Sequence, residues 1–130
     1  MRAVGRFDVK STPHPPYGEA DGVILGRMSI AKDFHGDLVG TGSVEMLAAR
    51  TAVAGSAGYV AIERVVGSLG GRSGSFVLQH TGTMNRGVPS LSVTVVPDSG
   101  SGALAGLTGT FSIEIAGGVH SYIFDYELSE

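Results

Sequence analysis

The chain has 130 residues, a length that suits one domain (1–130) able to bury its own core without covalent staples. A hydrophobic share of 42% against a charged share of 16% excludes a disordered chain, and a formal net charge of −3 argues against general nucleic-acid binding, which needs a basic footprint. With no cysteine, disulfides, thiolate metal sites and cysteine nucleophiles are excluded.

The opening "MRAVGRFDVK" carries charges throughout and lacks the apolar core of a secretory signal, and no apolar run approaches the length of a membrane helix. A soluble cytoplasmic protein is therefore expected, with neither nucleic acid nor membrane as partner. Alternation is the main structural signal. In the first segment Ala3, Gly5, Phe7 and Val9 fall on one face of a strand, while Arg2, Arg6, Asp8 and Lys10 mostly fall on the other. "STPHPPYGEADG" reads as a long surface loop. "VILGRMSIAKDF" resumes strand character, His35-Gly36 suits a tight hairpin turn, and "DLVGTGSVEML" follows as the return strand. The alanines of "SVEMLAARTAVAG" favour helix intrinsically, but a long strand breaking near Ala54–Gly55 fits the pattern better.

After these come segments at Gly58–Gly70 and Arg72–Met84, then "PSLSVTVVP", "ALAGLTGTFSIEI" and "VHSYIFDYEL". About eight short strands joined mostly by tight turns predict an all-β antiparallel sandwich or barrel. Glycine supplies 21 residues, roughly twice its usual share of about 7%. Glycines inside strands (Gly5, Gly26, Gly40, Gly42 and Gly109) favour the closed eight-stranded barrel, whose sheet must bend sharply.

The stretch "GYVAIERVVGSLGGRSGSFVLQHTGTM" places Glu63 and His80 within two apolar segments. If Gly70-Gly71 forms a two-residue turn, Leu69 pairs with Arg72, Ala61 with His80, Glu63 with Leu78, and Val65 with Phe76. Glu63 and His80 then become diagonal neighbours on one face, with Cβ atoms roughly 7–8 Å apart. That face also carries Tyr59, Phe76 and Leu78, as a cavity wall would; a three-residue loop would reverse the parity. A like turn at Gly117-Gly118 sets His120 opposite Ile115, Tyr122 opposite Ile113, Phe124 opposite Phe111 and Tyr126 opposite Gly109. The resulting aromatic face has hydroxyls as polar handles. The opposite face of the central strand, with Val60, Ile62 and Val66 around Arg64, is also apolar. A strand greasy on both faces is usually covered on both, so a homo-oligomer is expected.

A buried carboxylate beside an imidazole can move a proton on a small organic molecule, each group being shifted by burial and by the other. Glu63 is the candidate base or hydrogen-bond acceptor and His80 its partner or proton relay; a structural Glu–His or Glu–Arg pair is the plain alternative. Tyr59, Phe76, Leu78, Tyr122, Phe124 and Tyr126 are the candidate ligand-binding residues. Glu45 in "GSVEML" reads as solvent-facing. "AGSAG" around Ser56 mimics a nucleophile elbow without its strand–turn–helix setting. "GTGSVE" and "GSGALAG" lack the spacing and the helix of a phosphate loop. The four histidines lack zinc-ligand spacing, so no metal site is expected.

The phrases "LGRMSIAKDFHGDLVGTGSVEML", "GSAGYVAIERVVGSLGGRSGSFVLQHTGTM" and "SLSVTVVPDSGSGALAGLTGTF" resemble the bacterial proteins grouped as domain of unknown function 3224, over nearly the whole chain. That resemblance implies a small antiparallel barrel similar to that of allene oxide cyclases and dirigent proteins, with a central cavity and a tendency to dimerise or trimerise. It implies no agreed activity. The expected function is the binding of a small apolar or amphipathic molecule, with isomerase or cyclase chemistry needing no cofactor. The competing readings are a lipocalin-like carrier or sensor, and a structural barrel filled by its own side chains.

Overall fold

Residues 1–128, which the computed structural model describes, form ten strands and no helix. They are β1 (Arg2–Pro13), β2 (Gly18–Ala20), β3 (Val23–Gly36), β4 (Leu38–Arg50), β5 (Ala57–Leu69), β6 (Arg72–Asn85), β7 (Val88–Val95), β8 (Ser101–Gly102), β9 (Thr108–Ala116) and β10 (Val119–Glu127). Eight of them close an antiparallel barrel in the order β1-β10-β9-β7-β6-β5-β4-β3, with β3 returning to β1. The short β2 and β8 hang on β3 and β6.

Both diglycine corners turn as their sequence demands. Gly70 and Gly71 have φ of 57° and 84°, and Gly117 and Gly118 have 58° and 79°, the left-handed pair that a two-residue type I′ turn requires and that only glycine adopts without strain. The registers follow. Ala61 lies opposite His80 and Glu63 opposite Leu78 in the first hairpin; Tyr122 lies opposite Ile113 and Tyr126 opposite Gly109 in the second.

Three local expectations change. The corner between β3 and β4 is turned at Asp37 rather than at His35-Gly36. Its carboxylate accepts a hydrogen bond from the Val4 amide, and Gly36 itself pairs with Gly5 of β1. Much of the expected loop after Lys10 is sheet: β1 runs on to Pro13, opposite Met28, and β2 pairs with β3. The proline is tolerated because β1 has parted from β10 after Phe7, so its other edge asks for no ladder bond. The alanine-rich part of β4 is strand, as expected, but ends at Arg50, where Thr51 ties the turn through hydrogen bonds with Val53 and Ser56.

The interior has two unlike halves. At the end holding the Asp37 and Gly70-Gly71 corners it is solid. Phe34, Phe76, Phe111, Tyr122 and Phe124 pack there in a continuous aromatic cluster with centroids 5.2–6.1 Å apart. Leu104 and Leu107, from the segment between β8 and β9, are wholly buried in the same core. The Tyr122 hydroxyl accepts the Leu38 amide proton at 2.9 Å and donates to the His35 carbonyl at 3.0 Å, tying β10 to the Asp37 corner. Tyr122→Phe leaves that buried amide without a partner. Urea titration is expected to show a loss of about 1–3 kcal/mol with an unchanged denaturant slope.

Candidate functional site

The other half of the barrel is open. It holds a cavity of about 250 Å³ between β1, β3, β4, β5, β6, β7, β9 and β10. Its floor is made of buried Phe7, Lys32, Val44, Ala61 and His80, and its rim of half-buried residues that include Ile30, Met46, Tyr59 and His120. The rim opens because β7 meets β9 at a single pair, Thr94 with Thr110, and because β1 leaves β10 after Phe7.

At the cavity floor three ionisable side chains converge. Glu63 of β5 is fully buried. Its Oε1 accepts from His80 Nε2 of β6 at 2.7 Å and from Lys32 Nζ of β3 at 3.0 Å. The β5–β6 register sets the first contact, since Glu63 and His80 are diagonal neighbours across the hairpin. The second crosses a whole strand. Lys32 lies opposite Gly42 and Glu63 opposite Val44, so β4 stands between them. Gly42 makes the crossing possible: a methyl group there would collide with Glu63 Oε2. The lysine stem runs over the Phe7 ring, with Nζ 4.8 Å from the ring centre, a cation–π contact in a desolvated place.

Burial pushes the Glu63 carboxyl up. The hydrogen bond from His80 and the charge of Lys32 outweigh that push and hold it below its ordinary value of 4.5. An ionised Glu63 only accepts, so His80 Nε2 carries a proton, and in the neutral ring the lone pair lies on Nδ1. Among the described residues Glu63 Oε2 is the one side-chain polar atom that is both sealed from solvent and without a partner. Because the native carboxyl titrates lower than the unfolded one, its contribution to stability is complete above about pH 4.5 and is lost as pH falls through the native value. The stability gap between the natural chain and Glu63→Gln is therefore expected to narrow below about pH 4.5 in urea titrations run across that range.

Of the residues singled out by sequence, Glu63 and His80 are brought together, and Tyr59 stands at the cavity rim. Glu63 supports the floor from behind without lining the cavity. Phe76, Leu78, Tyr122 and Phe124 point inward as expected but belong to the solid half, and Tyr126 packs against it. None of these five lines the cavity, because they sit on the corner side of Glu63, where the core is filled. Lys32 and His120 were missed. For Lys32 the signal was the alternation Ile30–Lys32–Phe34, which sets a lysine on an otherwise apolar inward face. Glu45 faces outward and pairs with Arg27, as its solvent-facing reading anticipates.

Comparison with known proteins shows the family to which the chain is similar. The family model described as "Protein of unknown function (DUF3224)" matches residues 3–126. A crystal structure of a protein of unknown function from that family, from Shewanella oneidensis MR-1, is similar with a TM-score of 0.95 at 51% identity, covering 100% of this chain and 98% of that one. No curated protein matches the chain.

Proposed function

The chain belongs to the DUF3224 family, and we propose that it is a cytoplasmic small-molecule-binding barrel whose open half performs proton transfer on a small, largely apolar ligand. The observation that carries this reading is the placement of His80. Its Nε2 is held by a buried carboxylate, and its other ring nitrogen has no protein partner among the described residues. A carboxylate that fixes the tautomer of an imidazole leaves the free nitrogen as a general base. His80 is thus the group that meets the ligand, Glu63 its positioning residue, and Lys32 a donor to oxygen that gains charge. Isomerisation or cyclisation is the proposed chemistry, since each moves a proton that such a set can take up and return. The runner-up is a carrier without turnover, favoured by the apolar wall of Ile30, Val44 and Met46.

Self-association is part of the proposal. Val60, Ile62 and Val66 of β5 are each about half exposed on the outer face, beside Val39 and Leu47 of β4. Native mass spectrometry of freshly purified protein tests both claims. A dimer or trimer carrying a small organic mass supports them. An empty monomer, with no ligand taken up from a panel of apolar carbonyl compounds, contradicts them. Ala61→Phe, which fills the floor, is expected to abolish ligand uptake without changing the subunit count.

A further inference from the structure

We infer that the cavity takes a monocarboxylate of about six to eight carbons, with its carboxylate on Lys32 and His80, and that the ligand enters together with one proton. This rests on the proposed ligand-binding role of the cavity and narrows it to one chemical class.

Two side chains at the cavity floor have unused hydrogen-bonding capacity. Lys32 Nζ has three N–H groups, one of which goes to Glu63 Oε1. Among the described residues no further acceptor lies within reach of the other two. His80 Nδ1 is also without a protein partner and, unlike Glu63 Oε2, is not sealed from solvent. Both atoms belong to residues that form the cavity floor. A two-oxygen acceptor satisfies both at once, because one oxygen can take an N–H of Lys32 and the other a proton on Nδ1. The apolar wall above them receives a hydrocarbon body. At about 30 Å³ for each water-sized group, a space of about 250 Å³ holds roughly eight such groups, which suits a monocarboxylate of about six to eight carbons.

Charge balance supplies the proton. With His80 neutral, Lys32 and Glu63 cancel and the buried cluster carries no net charge. An anionic ligand adds one negative charge in a place where an unpaired charge is costly. Protonation of His80 at Nδ1, by a proton drawn from solvent, restores neutrality and creates the donor that the second oxygen needs. The ionisable groups facing this site are Glu63 and Tyr59 from β5, Lys32 from β3 and His120 from β10; β1, β4, β7 and β9 bring none to the cavity wall. Among the described residues, His120 is therefore the only other histidine there that could accept the proton.

Calorimetric titration with octanoate, octanamide and octanol, in two buffers of different ionisation enthalpy, tests the inference. Octanoate is expected to bind with uptake of close to one proton at pH 8. Its dissociation constant should rise with pH, by about tenfold per unit wherever one full proton is taken up. The amide and the alcohol should bind more weakly and without proton uptake. His80→Gln, which keeps a donor to Glu63 but cannot titrate, should abolish the uptake, whereas His120→Gln should preserve it. Equal binding of all three compounds without proton uptake overturns the carboxylate inference and leaves the cavity's ligand-binding role standing. Uptake that survives in His80→Gln overturns the assignment to His80. Failure of all three to bind overturns the inference and the broader ligand-binding role with it.

Discussion

Glu63→Leu is expected to lower the unfolding free energy by about 3–5 kcal/mol, and a second change, Lys32→Met, to recover most of that loss. The asymmetry follows from what each variant leaves behind. Removing the carboxylate alone strands the Lys32 ammonium, 7% exposed, among Phe7, Phe34 and the cavity floor. Removing both charges replaces a desolvated ion pair by aliphatic side chains of similar volume, a change that is often neutral or stabilising because the desolvation cost disappears with the attraction. His80 can then turn its freed nitrogen toward cavity water. Urea titrations of the two single variants and the double variant give the coupling directly. A single-variant loss under about 1 kcal/mol would mean that Glu63 is not a buried counter-ion. The double variant should be folded and unable to bind octanoate, which separates the cluster's role at the site from its role in stability.

The second large effect is expected in the solid half. Phe124→Ala should cost about 3–5 kcal/mol, because the ring is wholly buried and its loss leaves a hole that the barrel closes only in part. Phe124 lies 5.7 Å from Phe76 and 5.2 Å from both Phe111 and Tyr126, so three aromatic neighbours lose a partner together. Tyr59→Ala, at the rim of the open half, should cost distinctly less, since Tyr59 is only half buried and already borders empty space. Equal costs at the two positions, measured by urea titration, would deny the division of the interior into a filled and an open half.

That division marks the limit of what was legible in the sequence. Parity was readable: the two diglycine turns set the registers, and the registers set Glu63, His80, Tyr59 and Phe76 on one face of the first hairpin and Tyr122, Phe124 and Tyr126 on one face of the second. Height along the barrel axis was not. Period-two alternation says which side of the sheet a residue faces and nothing about whether the interior beside it is filled. The filling comes partly from Leu104 and Leu107, in a segment that alternation does not describe. Phe76 and Tyr59 therefore looked alike in sequence and occupy different halves. Lys32 was obscured for another reason. Its partner lies two strands away, and the contact depends on an absent side chain at Gly42, a relation no local pattern encodes.

The proposed function requires that a buried Glu63 carboxylate fix His80 as a base whose free nitrogen faces the cavity. Long-range proton–nitrogen NMR of the imidazole ring of His80, in the free protein near pH 8, tests it most directly. A proton on Nε2 with an unprotonated Nδ1, and protonation of Nδ1 when octanoate is added, is the predicted result; a ring that carries its proton on Nδ1 and leaves Nε2 bare would contradict it.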